Sequence, residues 1–248
     1  MLELRSEGGV ARLFLDRPRK ANALDTPLLE RLAEALEALA GERSLRAVVI
    51  GGQGESFCGG ADVVELRSLD PATARDFIGR VHRACSAVRA LPVPVVARLH
   101  GAVIGAGLEL AAACDLRVAA NGTRFAMPEV RLGIPSVVEA ALLPRLVGAG
   151  RAAWLVLTGE AIDAGRALEW GLVEELCPAE QLDAAVQRIV DALLAGDREA
   201  LRVQKALLQM WQEQPVSASV AASVDLFCEA YRRRSLPRAG SGGNISTG

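Results

Sequence analysis

Two carboxylates and two turns of small residues are the features of this sequence that could carry chemistry. Glu109 lies two residues after the turn 105–107 (Gly-Ala-Gly), and Glu129 follows Pro128 further along the chain. The other turn is Gly-Gly-Ala at 59–61. Two carboxylates can serve as general base and general acid around one water molecule. Two such turns can direct two backbone N–H groups at one developing oxyanion. The pattern therefore favours an enzyme that stabilises a negative oxygen and transfers protons.

Glu109 lies in an almost wholly apolar stretch, Leu108–Cys114. Burying an unpaired carboxylate costs several kcal/mol, so this side chain must find a partner or line a cavity. The alternative is a structural glutamate that caps a helix or pairs with an arginine. For Glu129, the alternative is a solvated carboxylate on a loop.

The two turns also have a catalytic and a structural interpretation. Glycines let a substrate approach the backbone closely, and the first turn of a helix offers unpaired N–H groups with a positive dipole end. The N–H groups of Ala61 and Ala106 are the candidates. One lost donor in an oxyanion hole typically raises a barrier by ~3–4 kcal/mol. The structural alternative is that the glycines only permit tight packing.

Composition limits the function classes. The chain has 248 residues, of which 51% are hydrophobic, and a formal net charge of −2. This length suits one large domain with a small appendage. No basic block precedes the last dozen residues, so nucleic acid is not an expected partner.

The five cysteines have no spacing typical of a metal or redox motif, and they are predicted to be reduced and mostly buried. No metal site is expected. The N-terminus does not resemble a signal peptide, and no stretch approaches the ~18 apolar residues of a membrane span. We expect a soluble, cytoplasmic protein without a membrane partner.

The order of predicted elements indicates an α/β fold with crossover units. A helix should begin with Asp25 as N-cap, and another should begin at Asp70-Pro71. The predicted strands are 10–15, 46–50 (ended by Gly51-Gly52), 94–99, 116–119, 124–126 and 172–176. A short apolar helix is predicted over 108–114. We assign residues 1–190 to the α/β core, 191–236 to a C-terminal helical region and 237–248 to a loosely held tail.

These motifs resemble those of the enoyl-CoA hydratase/isomerase (crotonase) superfamily. The match runs from about Val10 to Gly171. It rests on four segments in the right order: 15–24, 57–62, 100–115 and 128–146. The resemblance implies a crotonase-like spiral of ββα units with a C-terminal helical oligomerisation region. It also implies homotrimers, often paired into hexamers.

The resemblance further implies an acyl-CoA thioester substrate, with no cofactor beyond the coenzyme A that the substrate carries. The N–H groups of Ala61 and Ala106 would bind the thioester oxygen. The hydratases of the family use two glutamates, and Glu109 and Glu129 fill both positions. Glu109 would deprotonate water for addition at C3, and Glu129 would supply the C2 proton. The positions expected to bind substrate or CoA are Arg17, Lys20, Ala21, Ala23, Ala61, Asp62, Val63, Val64, Ala106 and Gly107.

The sequence departs from the family after the second glutamate. Hydratases usually have a glycine-rich stretch there, whereas this chain has Ser136, Val137, Val138 and Glu139. The last three are candidates for the acyl pocket, although Glu139 could equally cap or pair on the next helix. The C-terminus also differs. Phe227 could reach a neighbouring active site, and the arginines at 232–234 could contact CoA phosphates or form a solvated helix end.

The predicted activity is hydration of the 2,3 double bond of an enoyl-CoA. The alternatives are an enoyl-CoA isomerase, an acyl-CoA decarboxylase of the same fold, or an acyl-CoA-binding protein without turnover. A serine hydrolase is disfavoured, because no Gly-x-Ser-x-Gly motif occurs and His100 is better placed to hold the second turn.

Overall fold

Six short strands, most of them apolar, form the larger of two sheets. The computed structural model describes residues 1–233. The sheet order is β1-β2-β3-β4-β6-β9, and every pair is parallel except β1 with β2. All six residues of β3 are buried, as expected for a parallel strand covered on both faces. The strands are β1 Leu2–Glu7, β2 Val10–Leu15, β3 Ala47–Gly52, β4 Val95–Leu99, β6 Leu116–Ala120 and β9 Glu175–Cys177.

A second sheet of three short strands lies in the order β5-β7-β8, with β5 Ala102–Ile104, β7 Arg124–Ala126 and β8 Ile162–Asp163. The chain passes repeatedly from the large sheet to the small one and then into a helix. β4 and β5 are followed by α4 (Ala106–Ala113). After β3, Cys58 pairs with Val103 of the small sheet in an isolated β-bridge, and the chain then forms α2 (Val63–Leu66). These repeats are ββα units.

The helices begin where capping residues predict. Asp25 caps α1 by accepting from Leu28 N at 3.0 Å, and Asp70 caps α3 in a capping box with Thr73. The predicted N-cap at Asp25 and the predicted helix start at Asp70-Pro71 are both confirmed. Of the remaining helices of the first unit, α7 directly follows the small-sheet strand β8, and α8 comes after the large-sheet strand β9. The bounds are α1 Thr26–Ala40, α3 Pro71–Ala90, α5 Leu143–Val147, α6 Ala149–Thr158, α7 Ala164–Trp170 and α8 Leu182–Ala195.

The chain divides into two compact units, Met1–Arg198 and a second that begins at Glu199. The second contains most of α9 (Arg198–Glu213) and all of α10 (Val216–Arg233). Val216, Val220, Val224 and Phe227 recur at helical spacing along α10, and all four side chains are exposed. The amphipathic helices predicted for this region are present, and oligomerisation through them stays a prediction. The predicted tail at 237–248 lies outside the described residues.

Several strand predictions need correction. Gly51 and Gly52 belong to β3 instead of ending it, because they pair with Phe14 and Leu15. The strand predicted at 172–176 is β9 at Glu175–Cys177. The sequence did not indicate β1, β5 or β8. β5 and β8 span only three and two residues, too few for an alternating pattern to be visible.

All five cysteines are free, and only Cys228 is exposed, as the sequence predicts. Within residues 1–233, no helix has the length and apolarity needed to cross a membrane.

Candidate active site

The turn 59–61 is held by a buried asparagine. Asn22 is fully buried with φ of 55°, a left-handed conformation that asparagine tolerates better than most residues. Its amide donates to the carbonyl oxygens of Gln53 at 2.9 Å and Ser56 at 2.7 Å. Gly59 N donates to Ala21 O at 2.7 Å. The segment expected to bind CoA therefore also supports the first turn.

Arg17 pairs with two carboxylates beside that turn. Its Nη2 lies 3.0 Å from Asp25 Oδ2 and 3.1 Å from Asp62 Oδ2. Nη1 donates to Ala23 O. Asp62 also caps α2 by accepting from Val64 N at 3.0 Å. Arg17 thus links the start of α1 to the start of α2, a structural role that the sequence did not reveal.

The two turns pack against each other through their glycines. A Cβ on Gly60 would lie 2.9 Å from Ile104 O and 3.9 Å from Ala106 N. A Cβ on Gly107 would lie 2.6 Å from Cys58 O. Any side chain at either position would force the turns apart, so the glycines permit the close approach that the sequence suggested.

The backbone geometry leaves two N–H groups available near each other. Leu24 N donates to Gly60 O at 2.8 Å, and Asp62 N donates to Leu24 O at 2.9 Å. These two bonds flank Ala61 and do not use its N–H. Ala106 is the first residue of α4, where N–H groups have no intrahelical partner. Within residues 1–233, no hydrogen bond uses the N–H of Ala61 or Ala106. The two donors could meet one oxygen.

Glu109 occupies the fourth position of α4 and is 4% exposed. Its Oε1 accepts from Ala140 N at 3.2 Å. Burial, and then the charge of Glu129, raise the pKa of Glu109 from 4.5 to about 8, against the lowering effect of the Ala140 hydrogen bond. Glu139 raises this pKa further. The surroundings of Glu109 therefore favour its protonated form.

Glu129 begins a 3₁₀ segment, Glu129–Leu132, and is half-buried. Its Oε2 accepts from Ser136 Oγ at 2.8 Å. Its Oε1 lies against Gly105, where a Cβ would collide with it. Gly105 has φ of 53° and directly precedes the free N–H of Ala106. Glu129 is thus placed beside the second turn.

Residues 136–140 contact both glutamates. Besides the bonds from Ser136 and Ala140, Glu139 Oε1 lies 2.9 Å from His82 Nδ1. Glu139 is 6% exposed, and its Oε2 has no hydrogen-bond partner within the described residues. Val138 has φ of 42°, a strained conformation for a β-branched residue.

A cavity of about 1120 Å³ joins these groups. Ala61, Ala106, Glu109 and Glu129 all line it, and its other walls are mainly apolar. The sequence missed most of that apolar lining. The face of α3 could be predicted as buried, but the sequence could not indicate that part of it borders a cavity. The additional apolar lining includes Leu66, Leu69, Phe77, Ile78, Val81, Leu132 and Ile134.

The predicted binding and acyl-pocket residues divide into two groups. Val63 and Val137 line the cavity. Val138 and Glu139 do not, because Val138 packs against the hydrophobic core and Glu139 bonds to His82. Lys20 is exposed and Ala21 is half-buried outside the cavity lining. Arg17, Ala23, Asp62, Val64 and Gly107 also lie outside it, and their CoA contacts stay predictions.

Other reactive groups nearby have structural roles. Burial raises the pKa of the Cys58 thiol to about 12, so this cysteine is not an activated nucleophile. His100 Nε2 lies 2.9 Å from Gly54 O, consistent with a role in holding the turn. No cluster of three or more metal-ligating side chains occurs among the residues from 1 to 233.

A family model described as enoyl-CoA hydratase/isomerase matches residues 5–239. The chain belongs to the enoyl-CoA hydratase/isomerase family. It is 33% identical over 226 residues to the crotonyl-CoA hydratase of Syntrophomonas wolfei, covering 90% of this chain and 87% of that protein. It is 32% identical to the trans-2-decenoyl-[acyl-carrier-protein] isomerase of Streptococcus mutans, covering 83% of this chain and 80% of the relative.

Solved structures agree with this family membership. An enoyl-CoA hydratase from Mycobacterium smegmatis superposes with a TM-score of 0.90 at 34% identity, covering 95% of this chain and 93% of that one. The crotonase-like α/β fold expected from the sequence is confirmed, and the family is one of enzymes. Hydratases and isomerases both occur among the similar proteins, at nearly equal identity.

Proposed function

We propose that the protein is an enoyl-CoA hydratase, which adds water across the 2,3 double bond of an enoyl-CoA thioester. The observation that carries this proposal is that two carboxylates, Glu109 and Glu129, line the same cavity as the free N–H groups of Ala61 and Ala106. Moving a double bond needs one base that takes and returns a proton. Adding water needs one group that deprotonates the water and another that protonates C2. The two glutamates in this cavity could fill these two roles.

The two N–H groups would form the oxyanion hole. Ala61 N–H and Ala106 N–H would donate to the thioester oxygen as it gains enolate character. The close packing of the two turns supports this role, because it fixes both donors before the substrate arrives. Preorganised donors cost no rearrangement at the moment of reaction.

The glutamates would divide the proton transfers. In hydration, Glu109 takes a proton from water as its oxygen bonds to C3, and Glu129 donates a proton to C2. In dehydration, Glu129 takes the C2 proton and Glu109 protonates the departing hydroxyl group. The pair holds one proton in either direction. The raised pKa of Glu109 supports a resting state with that proton on Glu109, which is the state needed for dehydration.

Isomerisation is the second candidate. The similarity to a Streptococcus mutans isomerase favours it, since the identity nearly equals that of the hydratases. Glu129 alone would then move a proton between C2 and C4 of a 3-enoyl thioester. Decarboxylation and binding without turnover stay weaker proposals, because neither requires two carboxylates in one cavity.

The test is to present crotonyl-CoA and a 3-enoyl-CoA separately to the purified protein. Loss of the absorbance of the conjugated thioester from crotonyl-CoA indicates hydration, and its growth from the 3-enoyl-CoA indicates isomerisation. We expect hydration to be the faster reaction. The variants Glu109→Gln and Glu129→Gln should both lose hydratase activity. Near-full hydration by either variant would contradict the two-glutamate assignment.

A further inference from the structure

Ser136 holds one oxygen of a catalytic-site carboxylate. Its Oγ donates to Glu129 Oε2 at 2.8 Å, and it is half-buried at this contact. The other oxygen, Oε1, lies against Gly105 beside the free N–H of Ala106. Both oxygens of Glu129 are therefore fixed, one by a hydroxyl group and one by the surface of the second turn.

A hydroxyl donor and a buried environment act differently on a carboxyl group. A hydrogen bond donated to a carboxylate favours the charged form, and such bonds are stronger than those between neutral groups. Glu109 also accepts such a bond, at 3.2 Å from Ala140 N, but it is 4% exposed, and burial favours its protonated form.

The backbone that carries Ser136 is held on its C-terminal side. Ala140 N bonds to Glu109, and Glu139 bonds to His82 on α3. Val138, just before these two residues, is kept at φ of 42°, a conformation that persists only when its surroundings impose it. The Ser136 hydroxyl is therefore presented to Glu129 from a fixed segment and not from a loop that adapts to it.

We propose that Ser136 is a positioning residue, whose hydroxyl group keeps the Glu129 carboxylate directed at the C2 proton of the bound thioester. This inference rests on the proposed function. Other charged groups also line the cavity, so the pH dependence must be assigned by substitution. They are Glu109 on α4, Arg131 on the Glu129 segment, Arg67 and Asp70 between α2 and α3, and Arg75 on α3. Glu139 and His82 form a pair near Glu109.

The experiment measures proton removal at C2 separately from the addition or loss of water. A saturated thioester, butyryl-CoA, cannot be hydrated or dehydrated, but its C2 protons exchange with D₂O if a base removes them. Exchange would be followed by proton NMR between about pH 5 and pH 9. The variants are Ser136→Ala, Ser136→Gly and Ser136→Thr. Ser86→Ala is the matched control, because Ser86 contacts His82 at 3.4 Å and does not line the cavity.

Loss of the hydroxyl group should slow exchange about tenfold at neutral pH, as expected for one hydrogen bond to a charged group. The loss should appear in the maximal exchange rate and not in KM, because the hydroxyl group orients the Glu129 carboxylate and is not proposed to bind the substrate. Ser136→Thr should restore the rate, and Ser86→Ala should match wild type.

The inference is overturned if folded Ser136→Ala or Ser136→Gly exchanges C2 protons at the wild-type rate, or if its loss lies in KM instead of the maximal rate. Failure of Ser136→Thr to restore exchange in a folded protein would also overturn it. These results leave the proposed function intact as long as the wild type hydrates crotonyl-CoA. A wild type that neither hydrates an enoyl-CoA nor exchanges C2 protons would instead refute the function itself.

Discussion

The two glutamates show how one kind of side chain acquires two chemical characters in neighbouring regions. Glu109 is carried by α4, is 4% exposed and receives one bond from a backbone amide. Glu129 is carried by a short 3₁₀ segment, is half-buried and receives a bond from a hydroxyl group. The difference teaches that the surrounding elements, and not the residue type, decide which carboxyl group holds the proton.

The two regions are also coupled, because the charge of Glu129 is the second cause of the raised pKa of Glu109. Protons therefore leave the pair in two steps that belong to both residues. Both hydration and dehydration use the singly protonated pair, so the rate in each direction should fall above about pH 8.

The largest expected effect distinguishes Glu109 from Glu129 by the reactions that each residue is needed for. Glu109→Gln and Glu129→Gln should each reduce hydration by about 10³-fold, as for loss of a general acid or base. Only Glu129→Gln should also abolish C2 proton exchange in butyryl-CoA, since Glu109 is not needed for that step. Hydration assays and NMR exchange measure the two effects. The control is Glu160→Gln, at an exposed carboxylate. Equal losses of exchange in both variants would remove the distinction between the residues.

The next effect tests the contact between Glu129 and the second turn. In Gly105→Ala, the new Cβ would collide with Glu129 Oε1, and φ of 53° would be strained. We expect about a 100-fold loss of kcat, the scale of a small misplacement at an active site. Gly122→Ala is the matched control, because Gly122 has φ of 85° but no atom within 4 Å of the added Cβ. It should lose stability without losing activity. A fully active Gly105→Ala would refute the described placement of Glu129.

A third effect concerns stability. The folded-state pKa of Glu109 is raised from 4.5 to about 8, so its favourable contribution is complete below pH 4.5 and is lost as pH rises towards 8. At ~1.4 kcal/mol per pKa unit, this shift corresponds to a few kcal/mol. Urea unfolding should show wild type losing stability relative to Glu109→Gln between about pH 5 and pH 9. A stability difference that does not change with pH would contradict the raised pKa.

The smallest expected effect tests whether the charge of Glu139 acts on Glu109. Glu139 is the last and weakest of the causes that raise the pKa of Glu109. Glu139→Gln should therefore move the basic limb of the hydration profile to lower pH, by less than removal of the Glu129 charge does. Steady-state kinetics across the basic limb would measure the shift, with Ser86→Ala as control. A shift to higher pH would show that the Glu139 charge does not act on Glu109.

The sequence predicted what depends on local pattern. The N-caps at Asp25 and Asp70 and the strands at 10–15 and 124–126 were predicted at their observed positions. The prediction that the two turns and two glutamates form one site was also possible, since the family motifs carry it. The same motifs predicted the positions of both glutamates in the sequence, but they did not predict the raised pKa of Glu109.

What the sequence could not indicate depends on contacts between distant segments. The Arg17 pairing with Asp62, the packing of Gly60 on Ile104 and the bond from Ser136 to Glu129 all need the folded chain. Val138 and Glu139 were candidates for the acyl pocket from their place in the motif. In the folded chain, Val138 packs against the hydrophobic core and Glu139 bonds to His82.

The most direct test of the account is the protonation of Glu109 in the resting enzyme. Glutamate labelled with ¹³C at Cδ would be incorporated, and the carboxyl signals followed by NMR from about pH 4 to pH 10, with Glu109→Gln to assign the resonance. The account predicts one carboxyl group that titrates near pH 8 and whose signal is absent in Glu109→Gln. If every glutamate completes its titration below about pH 6, the proton does not rest on Glu109 and the contrast between the two regions fails.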